Sequence, residues 1–195
     1  MKNLLLIDAC IRGEQSRTRK ICNALIKNLC DQEVYQLETV YLEKEQNQFL
    51  DASRLDLRTR LIEQNDFSDE IFAAAKKFAA ADLIVVGAPY WDLSFPAVLK
   101  NYFELVSACG VTFCYGADGI PQGLCLAEKL YYVTTSGGFI GDFDFGSDYV
   151  KGLCMLYGIK EVEIVKAEGL DIEGLDEEAT ILQTINALNE KAERI

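Results

Sequence analysis

Apolar positions along the chain fall into two alternating rhythms. Leu4–Asp8 is a short run of branched residues, the pattern of a strand buried on both faces. From Thr18 to Cys30 the period lengthens: Cys22, Leu25, Ile26, Leu29 and Cys30 share one stripe of an amphipathic helix. Val34–Leu42 alternates apolar with polar, as a second strand near a sheet edge does, and Asn47–Asp66 reads as loop with a short helical piece. Ser68 stands as an N-cap before a helix that turns Ile71, Ala74, Ala75 and Phe78 inward. Ala81–Val86, apolar apart from Asp82 and rich in branched residues, is a third strand, and Phe95, Leu99, Tyr102, Phe103 and Val106 recur at helical spacing, with Pro96 suited to the first turn. Gly110–Leu126 is a long connection containing Gly and Pro. Lys129–Thr135 then forms a fourth strand, Ser147–Tyr157 a helix and Glu161–Lys166 a fifth strand. Asp176–Glu193 is the closing helix, with Ile181, Leu182, Ile185 and Leu188 as its core face.

Five strands alternating with helices predict an α/β fold: a doubly wound five-stranded parallel sheet with helices on both faces. Of the common doubly wound orders, 2-1-3-4-5 needs only five strands. The chain shows no repeat or linker, so residues 1–195 are read as one domain. In such sheets the ligand crevice lies beyond the carboxyl ends of the strands, here strands 1, 3 and 4.

Composition narrows the chemistry. A formal charge of −12 argues against a nucleic-acid partner, which needs a concentrated basic face. No stretch is long and charge-free enough to span a membrane, and the first residues lack the features of a signal peptide. Seven cysteines without a CxxC pair point to reduced thiols in a cytoplasmic protein, not to disulfides or a zinc site. Histidine is absent, which removes the usual Ser-His-Asp and Cys-His nucleophiles and offers no metal motif. Hydride transfer by a bound cofactor requires no protein base and survives this filter.

Three turns carry the functional signal. The first, Asp8 to Arg19, places Ser16, Thr18 and several backbone amides at a helix N-terminus, a natural seat for an anion. It is neither GxGxxG nor a P-loop. The second offers Pro89, Tyr90, Trp91, Asp92 and Leu93; the third offers Thr135, Ser136, Gly137 and Gly138, whose glycines admit a close backbone approach. Anion seat, aromatic platform and hydroxyl–glycine loop together suit a ligand with a phosphate tail and a flat head, such as FMN.

With Ser16-x-Thr18, Pro89-Tyr90-Trp91-Asp92-Leu93, the block Leu99–Val106 running on to Gly110-Val111-Thr112-Phe113-x-Tyr115, Thr134–Gly138 and Ala167-Glu168-Gly169, the chain resembles the flavodoxin-like quinone reductase family. Within it, the likeness is to FMN-dependent NADH azoreductases. The resemblance implies an FMN-dependent NAD(P)H oxidoreductase that reduces quinones or azo compounds by ping-pong two-electron transfer. NADH is preferred to NADPH because no basic site for a 2′-phosphate is evident. It implies that Cys10, Ser16, Arg17 and Thr18 surround the FMN phosphate, that Pro89 to Leu93 line the isoalloxazine and that Thr135 to Gly138 close its other side. Tyr115 matches a position that faces the substrate, and no residue acts as a general acid or base. It also implies a homodimer with active sites at the interface, in which the loop Phe139–Phe145 is an interface element or a lid. Three departures stand out: Cys10 replaces a hydroxyl residue, Asp92 replaces Asn, and Thr135-Ser136-Gly137-Gly138 lacks the family's arginine. A carboxylate at Asp92, near a flavin, is expected to lower its two-electron potential. The competing reading is a flavodoxin-type FMN electron carrier serving protein partners. A sheet that no longer binds flavin is the third.

Overall fold

The computed structural model describes residues 2–32, 35–45 and 49–192; Val34, Asn47 and Glu193, which bound three of the expected elements, lie outside them. The elements run β1 (Lys2–Asp8), α1 (Arg17–Gln32), β2 (Tyr35–Tyr41), α2 (Ala52–Glu63), α3 (Ala73–Ala79), β3 (Leu83–Gly87), α4 (Ala97–Val106), β4 (Phe113–Tyr115), β5 (Pro121–Gly123), β6 (Lys129–Thr135), α5 (Phe145–Tyr157), β7 (Glu161–Ala167) and α6 (Glu177–Ala192). Five strands pair in parallel in the order β2-β1-β3-β6-β7. The expected order 2-1-3-4-5 was framed on five strands. The long connection adds a two-stranded antiparallel hairpin, β4-β5, so the last two strands of the parallel sheet are the sixth and seventh in the chain.

The central strands are apolar on both sides because each side meets helices. Leu5, Ile7, Ile84, Val86, Leu130 and Tyr132 pack with Phe78 of α3, with Leu99 and Phe103 of α4, and with Val150 and Tyr157 of α5. The alternate residues Leu4, Leu6, Leu83, Val85, Tyr131 and Val133 pack with Ile21, Leu25 and Leu29 of α1 and with Ile181 and Leu188 of α6. Successive residues of a strand point to opposite faces, so one uninterrupted apolar run feeds two cores.

Local chemistry corrects several boundaries. The short helical piece expected within Asn47–Asp66 is a three-turn helix over residues 52–63, capped by Asp51, whose carboxylate accepts from Arg54 N–H at 2.9 Å; its weak periodicity understated its length. Ser68 is not a helix cap: Asp69 accepts from Ile71 N–H at 2.9 Å and opens a 3-10 turn (Glu70–Phe72) that leads into α3. On α6, Leu182 is exposed, because the buried stripe is Ile181 and Leu188, with Ile185 partly covered. Among the described residues no helix is long and apolar enough to cross a membrane.

The hairpin is held against the end of α5 by an absence of side chain. A Cβ on Gly123 would lie 2.0 Å from Gly158 N and 2.2 Å from Tyr157 O, and Cys125 N–H donates to that same carbonyl at 3.3 Å. Gly123→Ala therefore forces two backbones apart and is expected to cost about 1–3 kcal/mol, as overpacking does. Gly138→Ala, with open space around its Cβ, should stay within about 0.5 kcal/mol. Urea unfolding of both variants measures the contrast.

Candidate cofactor site

At the end of β1 the chain buries a charge. The Asp8 carboxylate accepts from Cys10 N–H at 2.8 Å and from Arg19 Nε at 2.6 Å, and both side chains are almost wholly buried, at 2 % and 5 % exposure. Arg19 also reaches Cys10 O at 3.4 Å, Glu14 at 3.4 Å and Glu43 at 3.3 Å, and its guanidinium lies over the Tyr41 ring. Burial alone would lower the guanidinium pKa; Asp8 and Glu43 more than offset that and hold it charged. The loop thus pinned leads into α1. There Ser16 Oγ accepts from Arg19 N–H at 3.3 Å, while the amides of Arg17 and Thr18 have no acceptor within the helix. These amides and the helix dipole favour an anion.

The turn after β3 is strained. Asp92 (φ 47°) and Leu93 (φ 66°) both adopt left-handed backbone between Trp91 and Ser94, which exchange hydrogen bonds of 3.2 and 2.8 Å. Two positive φ values at the centre of such a pair make a type I′ turn, a conformation costing roughly 1–2 kcal/mol for a residue like Leu93. Non-glycine strain of this kind collects at functional sites. Tyr90 N–H donates to Thr135 O at 2.9 Å, and its hydroxyl donates to Phe143 O at 3.0 Å.

The turn after β6 is tied to the other two. Thr135 Oγ and Thr18 Oγ, both buried, hydrogen bond at 2.7 Å, which joins the third turn to the first. Gly137 is glycine because its Cβ would meet Asp171 Oδ2 at 2.2 Å. Asp171 in turn accepts from Arg17 at 2.7 and 3.3 Å, a clasp between α1 and the segment after β7. That hydrogen bond holds the exposed Asp171 carboxyl below its usual range. The clasp is therefore present above the ordinary carboxylate pKa and lost as pH falls through the lowered one.

Between these turns lies a cleft of about 530 Å³. Of the residues singled out from sequence, Ser16, Arg17, Thr18, Pro89, Tyr90, Trp91, Thr135 and Gly137 line it. Six do not. Cys10 is buried beneath the loop with its thiol toward Gly87 O at 3.7 Å, and burial together with Asp8 pushes its pKa up to about 12, so it stays a neutral thiol. Asp92 and Leu93 sit on the exposed tip of the strained turn, and Ser136 turns its hydroxyl back to Gly138 O at 2.6 Å. Gly138 lies beyond the lining, and Tyr115 is exposed on the hairpin with its ring edge-on to Phe113. Five further lining residues come from the first turn, the segment after β7 and the start of α6: Ile11, Arg12, Gln15, Asp171 and Glu177. Arg12 was in view as part of the turn, whereas Asp171 carried no sequence signal beyond following the Ala167-Glu168-Gly169 match.

Comparison with known proteins agrees with this architecture. The family described as having the Flavodoxin-like fold matches residues 2–192. The chain belongs to this flavodoxin-like family, in its quinone reductase branch. It is 33% identical over 192 residues to an FMN-dependent NADH:quinone oxidoreductase of Clostridium perfringens, covering 95% of each chain. It is likewise 33% identical over 186 residues to one of Lachnoclostridium phytofermentans, covering 93% of each. Among solved structures, the azoreductase of Bacillus anthracis str. Sterne superposes with a TM-score of 0.86 at 22% identity, covering 100% of both chains. An FMN-dependent NADH-azoreductase of Bacillus anthracis str. Ames Ancestor, in complex with FMN, superposes at 0.84 and 19% identity, covering 100% of this chain and 99% of its own.

Removing Arg19 leaves the buried Asp8 without its counter-charge, and removing Asp8 leaves the buried Arg19 with only Glu43 and Glu14 beside it. Arg19→Gln and Asp8→Asn are each expected to destabilise the protein by about 3–5 kcal/mol. The double variant should lose less than the sum of the two. Denaturant unfolding of the single and double variants reads this coupling directly.

Proposed function

We propose that residues 1–195 form a single FMN-binding domain, an FMN-dependent NADH:quinone oxidoreductase that also accepts azo compounds. The observation that carries this reading is the cleft, which meets an anion-binding helix start at one end and the Tyr90–Trp91 turn at the other. The names of the curated relatives agree with it.

The donor set fits FMN. The free amides of Arg17 and Thr18, with the Ser16 hydroxyl, suit a phosphate, and Arg17 supplies a positive charge beside the acids Asp171 and Glu177. Pro89, Tyr90 and Trp91 present backbone and flat rings where an isoalloxazine would rest, and Thr135 and Gly137 bound the opposite side. FMN, when bound, supplies two-electron hydride chemistry, taking from a nicotinamide and giving to a quinone or azo bond. The chain's contribution is to orient the donor and acceptor in turn over one face, to exclude water and to hold the charge at the anion end fixed. Nothing in this scheme requires a protein acid or base, consistent with the lack of histidine.

The exposed aromatics Trp91, Phe139, Phe143 and Phe145, on the turns after β3 and β6, favour a homodimer that covers them. In such a dimer Tyr115, exposed and outside its own chain's cleft lining, faces the partner's site and the acceptor. The seven free cysteines favour the cytoplasm.

The visible spectrum of the purified protein with FMN, before and after anaerobic NADH, tests the assignment. Rapid bleaching of the flavin is expected without any protein partner; a bound flavin that NADH leaves yellow identifies an electron carrier, and no flavin binding refutes both. Sedimentation should give a dimer, and Tyr115→Ala should raise KM for the quinone with little change in FMN affinity. Asp92→Asn keeps a residue that tolerates positive φ, so the turn survives and only the charge is lost. Spectroelectrochemistry should show a higher two-electron potential in that variant; an unchanged or lower one removes Asp92 from redox tuning.

A further inference from the structure

Arg17 lines the cleft at the first position of α1, beside the free amides that form the anion seat. Its guanidinium is already engaged. Nη1 donates to Asp171 Oδ1 at 2.7 Å and to Leu170 O at 3.3 Å, while Nη2 donates to Asp171 Oδ2 at 3.3 Å. Glu177 stands 3.6 Å from the same Nη1. Two N–H···O contacts side by side are the geometry in which an arginine holds a carboxylate or a phosphate. Asp171 therefore occupies Arg17 in the manner a phosphate would.

Four charged side chains line the cleft, Arg12 and Arg17 against Asp171 and Glu177. The anion seat is thus bordered by as much negative charge as positive, and one of its two arginines is held within the protein. Attraction of a phosphate gains nothing from carboxylates at the edge of its seat. Exchange of partners does. The Arg17 side chain is 25% exposed and that of Asp171 66%, and an ion pair so open to water adds little to stability. Opening it does not free the segment after β7, because Asp171 N–H donates to Gly137 O at 2.9 Å and Leu170 N–H to Ser136 O at 3.1 Å. The carboxylate can leave while its backbone stays in place.

We propose that Asp171 is an internal competitor for the phosphate seat. Its carboxylate holds the fork of Arg17 that a phosphate monoester takes over on binding, so Asp171 sets how tightly the chain prefers a phosphorylated flavin to an unphosphorylated one. The proposal rests on the FMN reading of the cleft.

The test is calorimetric titration of the full chain with FMN and riboflavin, and phosphorus NMR titration with inorganic phosphate. Asp171→Asn removes the competing charge at constant size. FMN and inorganic phosphate should each bind about fivefold tighter or more, with riboflavin affinity unchanged. In an Arg17→Gln background the same substitution should lose most of that gain, since no guanidinium remains to be released. Glu177→Gln removes an equal charge from the longer contact with Arg17 and should give a smaller gain. Unchanged or weaker FMN binding in Asp171→Asn makes Asp171 a support for Arg17 and overturns the proposal. A gain that survives Arg17→Gln, that riboflavin shares or that Glu177→Gln equals reduces Asp171 to general repulsion and overturns it too. If no flavin binds while inorganic phosphate tightens, the exchange stands and the FMN reading falls; if no probe binds, both fall.

Discussion

Asp8 and Arg19 meet at 2.6 Å beneath the first turn, with almost nothing of either side chain in water. Two charges in such a place gain little net stability, because the cost of stripping their hydration roughly cancels their attraction. What the pair provides is position. The Asp8 carboxylate also takes Cys10 N–H, and Arg19 also takes Cys10 O, so one ion pair holds both polar groups of the residue that begins the anion loop. An apolar pair of the same volume would fill the space but leave those backbone groups buried and unpaired. The helix start, with its free amides, faces the cleft because this pair fixes where the loop departs from β1.

From that fixed point the remaining turns are set by contacts with one another. Thr18 and Thr135 share a buried hydrogen bond, Tyr90 N–H lands on Thr135 O, and Arg17 clasps Asp171, which fills the space that Gly137 leaves. Thr135 is the common node: its hydroxyl reaches the first turn and its carbonyl the second. The strained Asp92–Leu93 turn is tolerable in this setting, since the Trp91–Ser94 pair closes it and Tyr90 anchors its approach. A site assembled from three loops therefore behaves as one rigid edge.

The sheet was legible because its central strands must be apolar on both faces, and runs such as Leu83–Val86 have no other comfortable place. The hairpin was not, since three-residue strands such as Pro121-Gln122-Gly123 carry no periodicity; its docking depends on a glycine meeting a distant backbone. Helix α2 was legible only as a short helical piece for a related reason: none of its residues is fully buried, so no apolar stripe marks its full length. In the site, the backbone-rich turns could be read from residue type, because hydroxyls and glycines before a helix have few uses. Side-chain direction could not. Cys10 and Ser136 occupy the right loops yet point into the protein, and Asp171 enters the cleft through an ion pair formed across 154 residues.

Polarity is divided along the cleft in the same sense as the chemistry proposed for it. Fixed charge and free amides gather at the floor, where the ion pair and the helix start are built from the first 19 residues. Rings stand at the other end, the rim, where Tyr90 and Trp91 line the cleft; Phe139 and Phe143 are exposed on the segment after β6 and Phe145 at the start of α5. A ligand with an anionic tail and a flat apolar head can satisfy both ends in only one orientation. The tail pays for its desolvation against donors that are already aligned, and the head removes apolar surface from water. Because the floor is held by buried contacts and the rim by surface ones, substitutions at the rim should change what enters while leaving the tail's seat in place. Asp92 stands exposed on the strained turn, outside the cleft lining, so a change of its side chain leaves the buried ion pair beneath the first turn untouched.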